Sequence, residues 1–200
     1  HSDAADVFEI WADRLVPDGH MVTVDRWSDS VPIEELEKRP GLVVKIVWAL
    51  SFLSRHRKLG PLLRLLRAIP AASSPHGDPR VALSMVAIIE DDLAHTPDPV
   101  ANVDTSVNGS TRFRTFELSA VANARGYHAM AAGQYDEALA MFEVGTSLAS
   151  AGRVRDQLYF FTAYGYYQQG VAIDGSNEAT EACQPARRAL SKFQQVLPNL

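Results

Sequence analysis

The chain has 200 residues and a net charge of −5, with 46 % apolar and 22 % charged residues. This length suits one compact domain or a short solenoid, and the composition is typical of a soluble globular protein. The acidic balance argues against direct DNA or RNA contact, because each phosphate contact needs a cation. Cys183 is the only cysteine, which excludes an intramolecular disulfide framework and favours a reducing, cytoplasmic setting.

Neither a membrane span nor a signal peptide is predicted. The most apolar stretch, residues 42–53, contains Lys45 and falls short of the roughly 20 residues that cross a bilayer. We therefore expect a buried helix there and no membrane partner. The polar N-terminus is unlike a signal peptide. Since the chain does not start with Met, we expect it to be a piece of a longer protein.

The first elements in chain order are short helices. An amphipathic helix with apolar residues at steps of three and four, among them Val7 and Trp11, should end at residues 17–19. A second short helix should end near residues 28–30, and a helical turn with Pro32 at its start should end before Pro40. Strand patterns are nearly absent.

Three longer helices should follow. Residues 42–55 predict a strongly buried helix, and Gly60-Pro61 should open its partner. Asp78-Pro79 is typical of an N-cap followed by a proline at the first helical position, so a third helix should begin there. The basic run at residues 55–58 is interpreted as a solvated helix end, since cations suit a C-terminus.

The second half should hold an irregular connection and four better-defined helices. Residues 96–111 lack periodicity and would be the best place for a domain boundary, if one exists. The helices after it are expected at residues 113–132, 135–149, 154–170 and 178–196. The whole chain is thus predicted to be all-α, a single domain over residues 1–200 with about nine to ten helices.

A short motif indicates how two of these helices pack. Gly126 is a small residue midway along one helix, Gly133 marks the turn, and Tyr135, Ala138 and Phe142 follow on the next helix. Small residues let helices approach, and aromatic residues fill the space between pairs. This spacing resembles a tetratricopeptide (TPR) repeat.

A looser copy of the same motif follows. Gly165 stands at the small position, while Ala189 and Phe193 repeat the step from alanine to aromatic residue. The resemblance implies a TPR-like α-solenoid of antiparallel helix pairs, in which each pair buries its apolar face against the next.

The N-terminal half adds a second resemblance. Its motifs are Trp27, Val31-Pro32, the run Lys-Arg-Pro-Gly-Leu at residues 38–42, Trp48-Ala49-Leu50 and the leucine-rich residues 59–66. Together with the Asn-x-x-Gly at residues 123–126, they resemble the helical-repeat domain of MalT-type LuxR-family transcriptional regulators.

This resemblance implies a bacterial switch protein with an ATPase module upstream, a helical sensor in the middle and a DNA-binding helix-turn-helix downstream. The chain contains neither a Gly-x-x-x-x-Gly-Lys phosphate loop nor a convincing DNA-reading helix. ATP would therefore belong to an upstream domain, and no cofactor is expected in this segment. The expected partners are a small effector or regulatory protein and other domains of the parent chain.

No catalytic or metal site is predicted. The six histidines, at positions 1, 20, 56, 76, 95 and 128, fall on different elements and match no metal-ligand spacing. We expect binding rather than catalysis.

The binding surface is expected on the concave face, which the first helix of each TPR pair lines. Counting from Gly126 and Gly165, its residues are Asn123, Tyr127, Met130, Tyr159, Thr162, Tyr166 and Gln169. Tyrosine offers contact area and a hydrogen bond at low entropic cost. Two alternatives stay open: several of these tyrosines could pack between helix pairs instead, and the repeats could serve as a scaffold for protein contacts or self-association without a small ligand.

Overall fold

The structure is a computed structural model that describes residues 2–70, 77–90, 100, 103 and 111–148. Every helix or strand assigned over these residues is an α-helix. In chain order they are α1 (Ser2–Leu15), α2 (Met21–Ser28), α3 (Ile33–Leu36), α4 (Pro40–Phe52), α5 (His56–Ala68), α6 (Pro79–Glu90), α7 (Arg112–Ala131) and α8 (Tyr135–Leu148). The all-α class is confirmed. The solenoid arrangement and the count of nine to ten helices stay predictions, since the helices expected at residues 154–170 and 178–196 lie outside the described residues.

The chain divides into two compact units, residues 1–117 and residues 118–200, and the division falls inside α7. The sequence favoured residues 96–111 for a boundary, a segment of which the structure describes only three positions.

Helix α4 lies at the centre of the first unit. It packs against α1, α2, α3, α5 and α6, and its residues 41–51 are all buried. Its sequence is apolar nearly all round, which is the pattern of a helix that contacts neighbours on every side. The Trp48 ring meets Phe116 edge-on at 4.9 Å and stacks on Phe52 at 5.8 Å between ring centroids. The predicted buried helix is thus confirmed, although it ends at Phe52 rather than at residue 55.

The turn between α4 and α5 corrects two predictions. The Arg55 N–H donates to the Leu50 carbonyl at 2.9 Å, which closes α4 and lets α5 begin at His56, before Gly60-Pro61. Pro61 lies inside α5. Because proline has no N–H, it cannot donate to the carbonyl four positions earlier, which belongs to the exposed residue Arg57. The basic run therefore lies at a helix N-terminus and not at a C-terminus.

The start of α6 confirms the predicted cap. The Asp78 Oδ1 accepts a hydrogen bond from the Arg80 N–H at 2.9 Å, and Pro79 is the first helical residue. This bond satisfies one of the N–H groups that a helix start leaves without an internal partner.

Helix α1 buries a different face from the one that its apolar spacing suggested. Its buried side chains are Ala5, Phe8 and Ala12, whereas Val7 and Trp11 are each about half exposed. The helix has two adjacent apolar stripes, and only one of them packs within the first unit.

Candidate functional site

The turn between α7 and α8 is closed by a C-terminal capping motif. Gly133 has φ +76°, the left-handed conformation that glycine adopts without a steric cost. The Gln134 N–H donates to the Ala129 carbonyl at 2.9 Å, and the Gly133 N–H donates to the Met130 carbonyl at 3.0 Å. This pair of bonds is the Schellman arrangement, and it confirms the predicted role of Gly133 at the turn.

Helices α7 and α8 meet at Gly126. A Cβ atom on this residue would lie 2.6 Å from the Cδ1 atom of Phe142, far inside van der Waals contact. The Phe142 ring is fully buried, as is Ala138 one turn before it. The prediction that α8 presses against a small residue midway along α7 is confirmed.

Three of the predicted binding residues lie on described α7. Asn123, Tyr127 and Met130 are spaced by four and then three positions, so they share one face of the helix. Tyr127 is half-buried, and Asn123 and Met130 are buried. The other four, Tyr159, Thr162, Tyr166 and Gln169, lie outside the described residues.

Asn123 is the most unusual residue of this face. Its side chain is fully buried, yet neither its amide nitrogen nor its amide oxygen has a hydrogen-bond partner. Leaving a buried polar group without a bond costs roughly 1–3 kcal/mol, and most buried polar groups in proteins are paired. The side chain therefore offers a donor and an acceptor that the described chain does not use.

A buried carboxylate on the same helix was not predicted from sequence. Glu117 is fully buried; its Oε1 accepts the Asp78 N–H at 2.8 Å, and its Oε2 lies 3.3 Å from Arg114 Nη1. Glu117 follows Phe113 by four positions, which puts it on the apolar face of α7. That spacing was a usable signal, because a charged residue on an apolar face has to find partners.

Burial changes the acidity of this group. Removal from water raises the pKa of Glu117 to about 7, against the lowering effects of the Asp78 N–H and the Arg114 guanidinium. Near neutral pH the carboxyl group is therefore close to half protonated.

The basic run at the start of α5 is largely neutralised by α2. Lys58 Nζ lies 2.6 Å from both Asp25 Oδ1 and Asp29 Oδ1, and Arg55 Nε lies 3.1 Å from Asp25 Oδ2. Burial alone would raise the pKa of Asp25, but hydrogen bonds from Lys58 and Arg55 outweigh it and hold this pKa below its usual value. These contacts attach α5 to α2, which is a structural role.

An open groove lies between α1 and the end of α2. Its walls include Val7, Phe8 and Trp27, its volume is about 480 Å³, and Asp3 lies at its edge. No sequence pattern distinguished these side chains from core residues, because their spacing on α1 and α2 is that of buried apolar positions.

Within the described ranges, no three His, Cys, Asp or Glu side chains are grouped so that they could hold a metal ion. Among the same residues, none of the helices has the length and apolarity needed to cross a membrane.

The comparisons with known proteins do not assign a family. No family model, curated protein or solved structure matches this chain.

Proposed function

We propose that this chain is the effector-sensing, protein-interaction segment of a MalT-type LuxR-family transcriptional regulator. It acts by binding rather than by catalysis, and the α7 face of Asn123, Tyr127 and Met130 meets the small effector or regulatory protein. ATP and DNA are handled by other domains of the parent protein. The family part of the proposal rests on the residue patterns given above.

The unpartnered amide of Asn123 is the observation that supports a binding site on this face. A polar ligand with one donor and one acceptor would complete the hydrogen bonds that the described chain leaves open. Because Asn123 is buried, such a ligand is enclosed rather than held on an open surface. Tyr127 lies one turn further along the same face of α7.

The test is a thermal-unfolding screen of the chain against neutral polar compounds, namely sugars, nucleosides and amino-acid amides. A ligand at 100 times its Kd stabilises the folded state by about 2.7 kcal/mol, which is readily measured. We expect a compound that raises the Tm of the wild type but not that of Asn123→Leu. The variant itself should be at least as stable as the wild type, because it removes an unpaired buried amide.

Ser84→Ala is the matched control. Ser84 lies on α6 and also carries a buried polar atom without a partner, so its removal should leave ligand stabilisation intact. If a compound raises the Tm of the wild type and of Asn123→Leu equally, the proposed site is wrong. If no compound stabilises the chain and light scattering shows self-association, the scaffold alternative replaces the sensor.

The family assignment has its own test. The full-length protein should contain a phosphate-binding loop upstream of this segment and a helix-turn-helix downstream. A full-length sequence without either would contradict the regulator proposal and leave the α7 site to be judged by the unfolding screen alone.

A further inference from the structure

Helix α5 presents to solvent a face whose charges all have one sign. The helix contains four Lys and Arg residues and no Asp or Glu, and its cations are Arg57, Lys58, Arg64 and Arg67. Lys58 is paired with α2, and the ring of His56 lies 3.7 Å from Glu90 on α6. The three arginines are exposed, and none of them has a carboxylate partner among the described contacts. In a chain of net charge −5, this face is an isolated basic surface.

Two of these arginines lie in line on the side of α5 that is turned away from the core. The buried side chains of the helix are Leu59, Leu62 and Leu66. At about 100° per residue, Arg57 lies opposite Leu66, and Arg64, seven positions later, points in nearly the same direction as Arg57. The two are about 10.5 Å apart along the helix axis. Arg67 is offset from this line by roughly 60°.

The surface between Arg57 and Arg64 is low. Gly60 and Pro61 occupy the intervening turn, one on each side of the line, and both are exposed. Apart from its chain neighbours, a Cβ atom on Gly60 would meet nothing within 4 Å. A helix laid along α5 can therefore come close to its backbone at this turn, with its own side chains beside the two arginines.

The position of Arg57 does not favour the stability of α5. It lies in the first turn, where the partial positive charge of a helix N-terminus repels a cation. Arg55 and Lys58 meet the same repulsion, but Asp25 and Asp29 on α2 offset it. Arg57 has no such carboxylate among the described contacts. An anionic group from a partner would remove the repulsion that the fold leaves in place.

The rest of the chain indicates which kind of anionic partner fits. A helix that lies on a membrane surface needs an exposed apolar face, whereas the leucines of α5 are buried or half-buried within the protein. A nucleic acid would extend past three arginines onto a chain whose pI is about 5.7, and the surplus of carboxylates would repel it. An acidic helix is short and places carboxylates seven positions apart at the same spacing of about 10.5 Å as Arg57 and Arg64.

We propose that the exposed face of α5 docks an acidic helix of another protein. That helix lies along α5 over Gly60 and Pro61, and two of its carboxylates, seven positions apart, pair with Arg57 and Arg64. A third carboxylate pairs with Arg67. This proposal is independent of the α7 site, because all of its residues lie on α5.

The experiment uses the whole chain and two labelled alanine-rich peptides of about 18 residues, since shorter ones are marginally helical in water. Both contain the same number of glutamates. In one peptide the glutamates have the spacing of the three arginines, and in the other they are distributed evenly around the helix. We expect the first peptide to bind in fluorescence anisotropy, more weakly at high salt, and the second to bind at least severalfold more weakly.

The double variant Arg57→Gln/Arg64→Gln should weaken binding of the first peptide about tenfold, because it removes two ion pairs. Arg14→Gln is the matched control: Arg14 is an exposed arginine in the last turn of α1, also without a described carboxylate partner, and its loss should leave binding unchanged. Thermal unfolding should show the double variant at least as stable as the wild type, since the arginines have no partner to lose within the described fold.

Three results overturn the proposal. Equal binding of the two peptides, or equal weakening by the double variant and by Arg14→Gln, would show that the α5 face does not select an acidic helix. A DNA duplex that binds more tightly than the first peptide, and less tightly to the double variant, would assign the face to nucleic acid. A dimer in sedimentation that the double variant abolishes would assign it to a second copy of the chain.

Discussion

The burial of one residue on α7, Glu117, makes the stability of the fold depend on pH. Its carboxyl group receives the Asp78 N–H and faces Arg114, yet burial raises its pKa to about 7. The folded chain therefore holds this proton more tightly than the unfolded chain, whose glutamate titrates near its usual value of 4.5. The stability that comes from the protonated group is fully present below pH 4.5 and is lost as the pH rises through about 7.

We predict that Glu117→Gln removes this pH dependence. The amide oxygen can still accept the Asp78 N–H, while the group no longer ionises. At pH 8 the variant should be more stable than the wild type, by up to about 3 kcal/mol, and at pH 5 the difference should be small. Urea unfolding at the two pH values measures the effect.

Glu137→Gln is the control for this measurement, because Glu137 is an exposed residue of α8. Its stability relative to the wild type should not change between pH 5 and pH 8 by more than a few tenths of a kcal/mol. A Glu117→Gln variant that is less stable than the wild type at pH 8 would show that the ion pair with Arg114 outweighs the cost of burial.

At the scale of elements, the α7–α8 hairpin depends on one close contact. Gly126 is the residue of α7 against which the Phe142 ring packs, and that ring is fully buried. Sequence spacing predicted this contact, because the small residue, the turn glycine and the aromatic residue lie within 17 positions of one another. Local motifs of this kind can be read without knowledge of the rest of the fold.

We predict that Gly126→Ala destabilises the chain by about 1–3 kcal/mol. The added methyl group overlaps the Phe142 ring, and this overpacking exceeds the gain of about 1 kcal/mol in helix propensity. Thermal or urea unfolding measures it. The double variant Gly126→Ala/Phe142→Leu should recover part of the loss, since leucine leaves room for the methyl group.

Gly60→Ala provides the matched control on α5. Apart from its chain neighbours, a Cβ atom there would meet nothing within 4 Å, so no other helix is displaced. The added methyl group does crowd the ring of the following Pro61, which offsets the gain of about 1 kcal/mol in helix propensity, so the net change in stability should be small. If both glycine variants gain stability, the close approach of α7 and α8 is not what requires glycine at position 126.

At the scale of the first unit as a whole, α4 packs against five neighbouring helices. One of its buried side chains, that of Lys45, is charged. Lys45 is fully buried, with its Nζ 2.7 Å from Asp13 Oδ1 on α1 and 5.4 Å from the centroid of the Phe113 ring. The contact with Asp13 is an ion pair, but its angles do not make a regular hydrogen bond. A buried pair of this kind contributes little net stability, because desolvation offsets the attraction between the charges.

We predict that Lys45→Met is neutral or stabilising, because methionine fills a similar volume without a charge. Asp13→Ala, by contrast, leaves the Lys45 ammonium buried without its carboxylate and should cost about 2 kcal/mol or more. In the double variant Asp13→Ala/Lys45→Met most of that loss should disappear. Urea unfolding of the wild type and the three variants gives a double-mutant cycle. A large loss of stability in Lys45→Met alone would show that the ion pair holds α1 on α4.

The sequence by itself determined the helical class, the Asp78-Pro79 helix start, the Gly133 turn and the Gly126–Phe142 contact. Each of these depends on residues near one another in the chain: helix periodicity, caps and turns involve a few positions, and the Gly126–Phe142 contact lies within one helical hairpin. Only the tertiary structure decided which apolar stripe of α1 is buried and where the charges of Lys45 and Glu117 lie. The physical reason is that α1 presents two apolar stripes of similar spacing, and packing against α4 selects one of them. The ion pair of Lys45 with Asp13 and the bond of Glu117 with Asp78 join residues more than 30 positions apart, so no local pattern reveals them.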